Sequence, residues 1–184
     1  VRLSQTIDFK SEGDAVYLIG KTSKELCGSE YFSHLSEKGI IAQGGEVPST
    51  DCPKFLSYYK KYSEAVSSSL VASSITLETG GLAYALSRST MAGLIGAEID
   101  LSSVYAESNM RDDEILYSES QGRILCSVRK DKKAGFEKLM GENAKQIGEV
   151  KGSKLCVKGI SGKTIIDEEI SLLHSVYKKR LAKY

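Results

Sequence analysis

Asp14-Ala-Val-Tyr-Leu-Ile19 is a short apolar run held between Gly13 and Gly20, and predicts a buried strand that feeds a glycine turn. A polar loop follows over 21–28, and Ser29 stands where a capping hydroxyl would open a helix through Tyr31, Phe32 and Leu35. The next stretch, with Gly39, Gly44, Gly45 and both prolines, Pro48 and Pro53, reads as loop. Phe55, Tyr59, Tyr62 and Val66 recur at helical spacing and predict one face of a helix, its aromatic stripe packed into the core. Residues 70–77, rich in serine and β-branched side chains, predict a strand; the Gly80-Gly81 turn then opens a close-packed helix carrying Leu82, Leu86 and Met91. From Ile95 to Leu101 apolar and polar residues alternate as in a half-buried strand.

Residues 123–128 predict a further strand, and 130–140 a helix with Phe136, Leu139 and Met140 turned inward. Short strands over 149–152, 154–158 and 163–166 follow, the first two joined at Gly152-Ser153 as in a hairpin. A last helix sets Ile170, Leu173, Tyr177 and Leu181 on one face. Strands interleaved with helices give an α/β (α+β) fold, a sheet layered with helices. At 184 residues the chain accommodates one large domain with a substantial core. Residues 14–184 read as that domain, and the polar opening stretch, 1–13, as a linker or the end of a preceding one cut from a longer polypeptide.

Composition adds mainly exclusions. Twenty-five basic and twenty-four acidic residues leave a net charge of +1, so no overall field draws the chain to nucleic acid or an anionic membrane, and an anion would have to be bound locally. The apolar runs fall far short of the roughly 20 residues of a membrane helix. The four cysteines (Cys27, Cys52, Cys126 and Cys156) are widely spaced, without a paired motif or a histidine cluster, and read as buried or half-buried free thiols in a reducing cytoplasm. His34 and His174 each stand apart from any partner at catalytic or metal-binding spacing, so neither a catalytic residue nor a metal ligand is assigned.

Three segments carry candidate chemistry. In Glu25-Leu-Cys-Gly-Ser-Glu-Tyr31 a glycine turn opens a helix, where free backbone N–H groups and the helix dipole suit a phosphate; Gly28, Ser29 and Glu30 are the candidates. Gly80 and Gly81, between a strand and a helix, allow close approach of a phosphate or of another backbone. Tyr117-Ser-Glu-Ser-Gln-Gly-Arg123 gathers hydroxyls, a carboxylate, an amide and a guanidinium, and makes Glu119 and Arg123 pocket or interface candidates.

Taken in order, Glu12-Gly-Asp14, Glu25-Leu-Cys-Gly-Ser-Glu-Tyr31, Gly80-Gly-Leu-Ala-Tyr-Ala-Leu86, Gly96-Ala-Glu-Ile-Asp-Leu101 and Ser118-Glu-Ser-Gln-Gly-Arg123 resemble the C-terminal, AIR-synthase-related domain of phosphoribosylformylglycinamidine synthases. The resemblance implies an α/β domain with a mixed sheet. It implies a ligase of purine biosynthesis that converts formylglycinamide ribonucleotide, ATP and glutamine-derived ammonia into the amidine, ADP and phosphate. ATP and Mg2+ would serve the parent enzyme, with most magnesium ligands and the catalytic histidine upstream, so the fragment alone is not expected to turn over. The partners implied are the upstream ATP-binding domains, a glutamine amidotransferase and a small carrier subunit, in the cytoplasm. Other members of the superfamily, such as selenophosphate synthetase, thiamine-monophosphate kinase or a hydrogenase-maturation dehydratase, and a non-catalytic nucleotide-binding or assembly module, are the alternative readings. Two departures stand out: Cys27 replaces a glycine of the family pattern, and Ile75-Thr76 stands where the family typically has His-Asp.

Overall fold

A computed structural model of the chain describes residues 3–40 and 45–181. Its centre is β1 (Ala15–Ile19), in which every residue is buried. The side chains divide by parity: Val16 and Leu18 enter the apolar cluster on one face, and Ala15, Tyr17 and Ile19 the cluster on the other. A strand buried on both faces belongs in the middle of three layers. β1 lies antiparallel between β4 (Ile124–Val128) and β5 (Ala144–Val150). Outside β4 comes β2 (Ser73–Thr76); beyond β5 come β3 (Ala97–Asp100), β6 (Lys154–Lys158) and β7 (Thr164–Glu169). The β3–β6 pair is parallel and the others are antiparallel, so the sheet is mixed.

The first cluster is closed by α3 (Gly81–Gly93), which buries Leu82, Ala85 and Leu86, and by α4 (Asp112–Tyr117) through Ile115 and Leu116. The second is closed by α2 (Cys52–Ser67) and α5 (Lys133–Met140), which contribute Tyr58, Ala65, Phe136 and Met140. α6 (Ile170–Leu181) anchors through Ile170, whereas α1 (Glu30–Glu37) buries no residue and sits at one end of the domain. The segment ahead of β1 packs along the sheet: Phe9 is buried in the first cluster, its N–H donates to the Ser89 carbonyl, and Ser74 N–H donates to Thr6.

Several elements differ from expectation for identifiable reasons. β5 and β6 do not form a hairpin at Gly152-Ser153, because β3 lies between them and pairs with both. Pro53 is inside α2 rather than in the loop: Asp51 caps that helix by accepting the Lys54 N–H at 3.1 Å, and the first turn has no use for a proline N–H. Tyr58, not Tyr59, is the aromatic that α2 buries; Tyr58 donates to the Gly122 carbonyl at 2.7 Å while Tyr59 lies at the rim. Tyr177 is exposed. α4 lacks a sequence signal because it is a single short turn-and-a-half ending in the loop that carries Glu119. All four cysteines are free, but Cys52 is exposed rather than buried. Gly44 and the Leu181 side chain lie outside the described residues.

Gly148 on β5 marks the tightest approach to β3. A Cβ there would fall on the Glu98 carbonyl oxygen and within 2.8 Å of Ile99 Cδ1. Gly148→Ala is therefore expected to cost ~2 kcal/mol, read as a lower midpoint in urea with an unchanged slope. Asp14, just before β1, is buried with Oδ2 unpaired. Burial raises its pKa, against a Ser11 backbone hydrogen bond and the Arg129 charge, which lower it. A carboxyl raised in the folded state favours folding below its unfolded value of 3.8, and that contribution is lost as pH rises through the folded value. Asp14→Asn should melt above the parent chain at pH 7, with the gap closing as pH falls toward 4.

Candidate functional site

The candidate residues converge at one end of the sheet, where three connections meet. The first leaves β1 at Gly20, runs through Thr22 and Glu25, and enters α1. Ser29 caps that helix: its hydroxyl accepts the Phe32 N–H at 3.2 Å and donates to the Leu26 carbonyl at 2.6 Å. The second connection joins β2 to α3 through Gly80 and Gly81, both at positive φ (+82° and +60°). A Cβ on Gly81 would strike the Ser118 carbonyl oxygen, so glycine is required for α3 to start this close to the third connection. That third connection, between α4 and β4, carries Ser118, Glu119, Ser120 and Arg123.

Arg123 is the largest fully buried side chain. Its guanidinium donates to the Ser118 carbonyl, to the Ser120 carbonyl at 3.0 Å and to Thr22 Oγ1 at 3.0 Å. All three acceptors are neutral. Burial pulls the pKa down to about 10, opposed by the charges of Glu25 and Glu119, and the group stays cationic at neutral pH. Glu25 is buried as well, and its Oε1 accepts both the backbone N–H and the hydroxyl of Ser49, at 2.9 and 2.8 Å. Ser118 and Ser120 stitch the first connection to the third: Ser118 Oγ donates to the Ser23 carbonyl at 2.7 Å, and Ser23 N–H donates to Ser120 Oγ at 3.0 Å.

Above this knot lies Glu119, half-buried. Its Oε1 accepts the Gly80 N–H at 2.8 Å and the Glu30 N–H at 3.2 Å. Gly80 is the N-cap of α3 and Glu30 the first residue of α1, so two helix N-termini point at one carboxylate oxygen. The corner has the electrostatics of an anion site, with an anion of the chain's own in place. An aromatic pair flanks it: Tyr31 stacks on Tyr117 at 4.6 Å, and its hydroxyl donates to Asp113 at 2.9 Å. Burial and the Asp113 contact push the Tyr31 pKa up to about 12.

The structure thus brings together the Glu30 and Gly80 backbones with Glu119, and sets Gly81 and Arg123 against Ser118. Gly28 is exposed at φ +80° with open space about it, and the Ser29 side chain is spent on capping. Thr22 and Ser23, which complete the knot, were not singled out in the sequence: a hydroxyl in a polar loop has no periodic signature, and only their placement against Arg123 and the Ser118–Ser120 pair gives them a role. Among the described residues no group of three His, Cys, Asp or Glu side chains is disposed to hold a metal ion. His34 is exposed and His174 half-buried on α6.

A mixed, helix-layered sheet whose loop-to-helix junctions gather at one end defines an α/β domain of the AIR-synthase type. The chain belongs to the family described as "AIR synthase related protein, C-terminal domain", which it matches over residues 11–158. Among curated relatives, the phosphoribosylformylglycinamidine synthase subunit PurL of Methanocaldococcus jannaschii is 33% identical over 94% of this chain, and the PurL of Moorella thermoacetica 35% identical over 88%. The chain spans only 22% and 21% of those two proteins. Among solved structures, T. maritima PurL complexed with FGAR superposes with a TM-score of 0.79 at 21% identity, covering 94% of this chain and 29% of that one. The hydrogenase maturation protein HypE in complex with ATP has the same fold at greater distance, with a TM-score of 0.60, 14% identity and coverage of 92% of this chain and 54% of that one. No helix among the described residues is long and apolar enough to cross a membrane.

Arg123→Met would leave the Ser118 and Ser120 carbonyls and Thr22 without their donor. The expected cost is about 3 kcal/mol or more. Arg123→Lys should not restore stability, because an ammonium cannot reach three acceptors laid out for a planar fork. Thermal unfolding of the two variants beside the parent chain checks both.

Proposed function

We propose that this chain is the C-terminal domain of an ATP-dependent amidoligase of purine biosynthesis, one that converts formylglycinamide ribonucleotide, ATP and ammonia into formylglycinamidine ribonucleotide, ADP and phosphate. The observation that carries this is the resemblance to PurL subunits over nearly the whole chain, at 33% identity over 94% of it. T. maritima PurL relatives with the same fold are described as complexes with FGAR, ATP and ADP. In this reading the amide oxygen of the substrate attacks the γ-phosphoryl group, ADP leaves, ammonia adds at the activated carbon and phosphate is expelled.

Within that reaction the chain holds and orients an anion. The Glu30 and Gly80 N–H groups would face a phosphate, with Gly28, Ser29 and Gly81 shaping the approach and the buried Arg123 charge behind them. Glu119 occupies that position in the free chain and is displaced or shifted when a phosphate arrives. At the place of the family's His-Asp pair Ile75 is buried in the core and Thr76 donates to Glu78 at 3.0 Å, so these two positions supply neither an imidazole nor a carboxylate. In this reading most magnesium ligands and the catalytic histidine lie in upstream ATP-binding domains. The glutamine amidotransferase and a small carrier subunit complete the cytoplasmic assembly, and the isolated chain does not turn over. The same Ile75-Thr76 exchange favours, as a second reading, a domain that only completes an interface.

Two measurements test this. Fused behind the upstream domains of a PurL relative in place of its own last domain, the chain should support ADP formation that requires both FGAR and ammonia; ADP formation that ignores FGAR would exclude the assignment. In calorimetry, Glu119→Gln should bind inorganic phosphate and Mg-ADP at least several-fold more tightly than the parent chain, because a neutral amide vacates the anion position less expensively than a carboxylate. No heat with either protein would leave the chain as an interface domain.

A further inference from the structure

On α3, Tyr84, Arg88, Met91 and Ala92 follow one another at helical spacing on one outward face. The Arg88 guanidinium lies over the Tyr84 ring, its carbon 5.7 Å from the centroid. Beyond that contact Arg88 has no hydrogen bond or ion pair among the described residues, although it is half-buried. A cavity of about 290 Å³ opens beside it, between α3, α6 and the segment ahead of β1. Its walls are Ile7, Met91, Ala92, Tyr177 and the imidazole-bearing His174; its charged residues are Arg88 and Lys178, and no carboxylate lines it. A neighbouring cavity of about 390 Å³ shares Ile7 and Arg88 and adds Tyr84, so Arg88 lines two adjoining hollows. The carboxylate in that second hollow, Glu78, accepts the Thr76 hydroxyl at 3.0 Å. Glu78 precedes the helix and Arg88 lies two turns into it, about 10 Å along the axis.

We propose that this groove on α3 and α6 binds a small organic anion with an apolar or aromatic body, its carboxylate or phosphate paired with Arg88. A half-buried guanidinium without an acceptor has lost part of its hydration and received no ion pair in exchange. A bidentate oxyanion restores that loss, and the rigid fork of arginine favours such a partner. The aliphatic and aromatic walls supply the remaining contact, and Lys178 adds a second positive charge. A cavity of about 150 Å³ holds benzene, so this one admits a substituted ring with its charged group at the guanidinium. The proposal does not depend on the corner at Glu119, which lies at the N-terminal end of α3 and uses other residues.

The test is an amide-resolved NMR titration of the 184-residue chain with phenyl phosphate and with benzoate, and with inorganic phosphate and phenol as the parts alone. Saturable shifts are expected at residues 84–92 and 174–178 with one or both intact anions. Inorganic phosphate and phenol should bind there at least tenfold more weakly. Arg88→Gln should weaken the better anion at least tenfold without lowering the melting temperature, and Tyr84→Leu, on the exposed face, gives an independent second reading. Preference for phenyl phosphate assigns a phosphate ester, and preference for benzoate a carboxylate. Absence of saturable shifts there, equal binding of inorganic phosphate, or binding indifferent to both substitutions would overturn the proposal. Shifts confined to residues 28–30 and 80–81 would report the other corner and count against this one.

Discussion

A fixed positive charge sits in the interior of this domain, and the architecture around the candidate site follows from the need to satisfy it. Among the described residues the Arg123 guanidinium has no carboxylate in direct contact; its charge is solvated by the oxygens of Ser118, Ser120 and Thr22. Those oxygens belong to two different connections, so satisfying one side chain fixes both. Glu25, electrostatically coupled to Arg123, holds Ser49 and so ties the chain leading into α2 to the same point. Once the Ser118 carbonyl is placed, Gly81 must be glycine, and α3 must begin where its Gly80 N–H reaches Glu119. Burial of a charge penalises every alternative arrangement of these loops more than it penalises this one.

The layers were legible because they depend on periodicity. The all-apolar run at β1, the alternation at β3 and the alanine-rich stripe of α3 each encode the face they bury, and each appears where the pattern places it. Strand neighbours were not legible. Nothing in Gly152-Ser153 distinguishes a hairpin from a passage over β3, because the choice is made by Gly96 and Gly148, whose missing side chains let the backbones of β3 and β5 close on their neighbours. The exchange of Tyr59 for Tyr58 has a similar origin: both lie near the apolar side of α2, and the free Gly122 carbonyl selects the one whose hydroxyl reaches it.

At the site, residue types showed which segments were chemically unusual but not which atoms act. Glu30 was singled out for a helix N-terminus and enters through its backbone N–H, its side chain exposed. Ser29, read both as the cap of α1 and as a phosphate contact, spends its hydroxyl on the cap. Glu119, read as a pocket or interface residue, is the group on which two helices meet. Such roles are set by contacts between residues some forty to ninety positions apart, as Glu119 with Gly80 and with Glu30, and local sequence does not hold that information.

The position of β1 in the sheet also has a consequence for biosynthesis. Ala15 pairs with Val128 on one side and with Glu149 on the other, so the most apolar strand is made early and both of its partners late. At ordinary translation rates the gap is on the order of ten seconds. Throughout that interval Ala15–Ile19 is outside or near the ribosome exit with neither edge covered, a template for pairing with another nascent chain. Crowded polysomes rather than the finished protein would then be where this domain is most exposed to aggregation, and a chaperone that shields Ala15–Ile19 would protect it most.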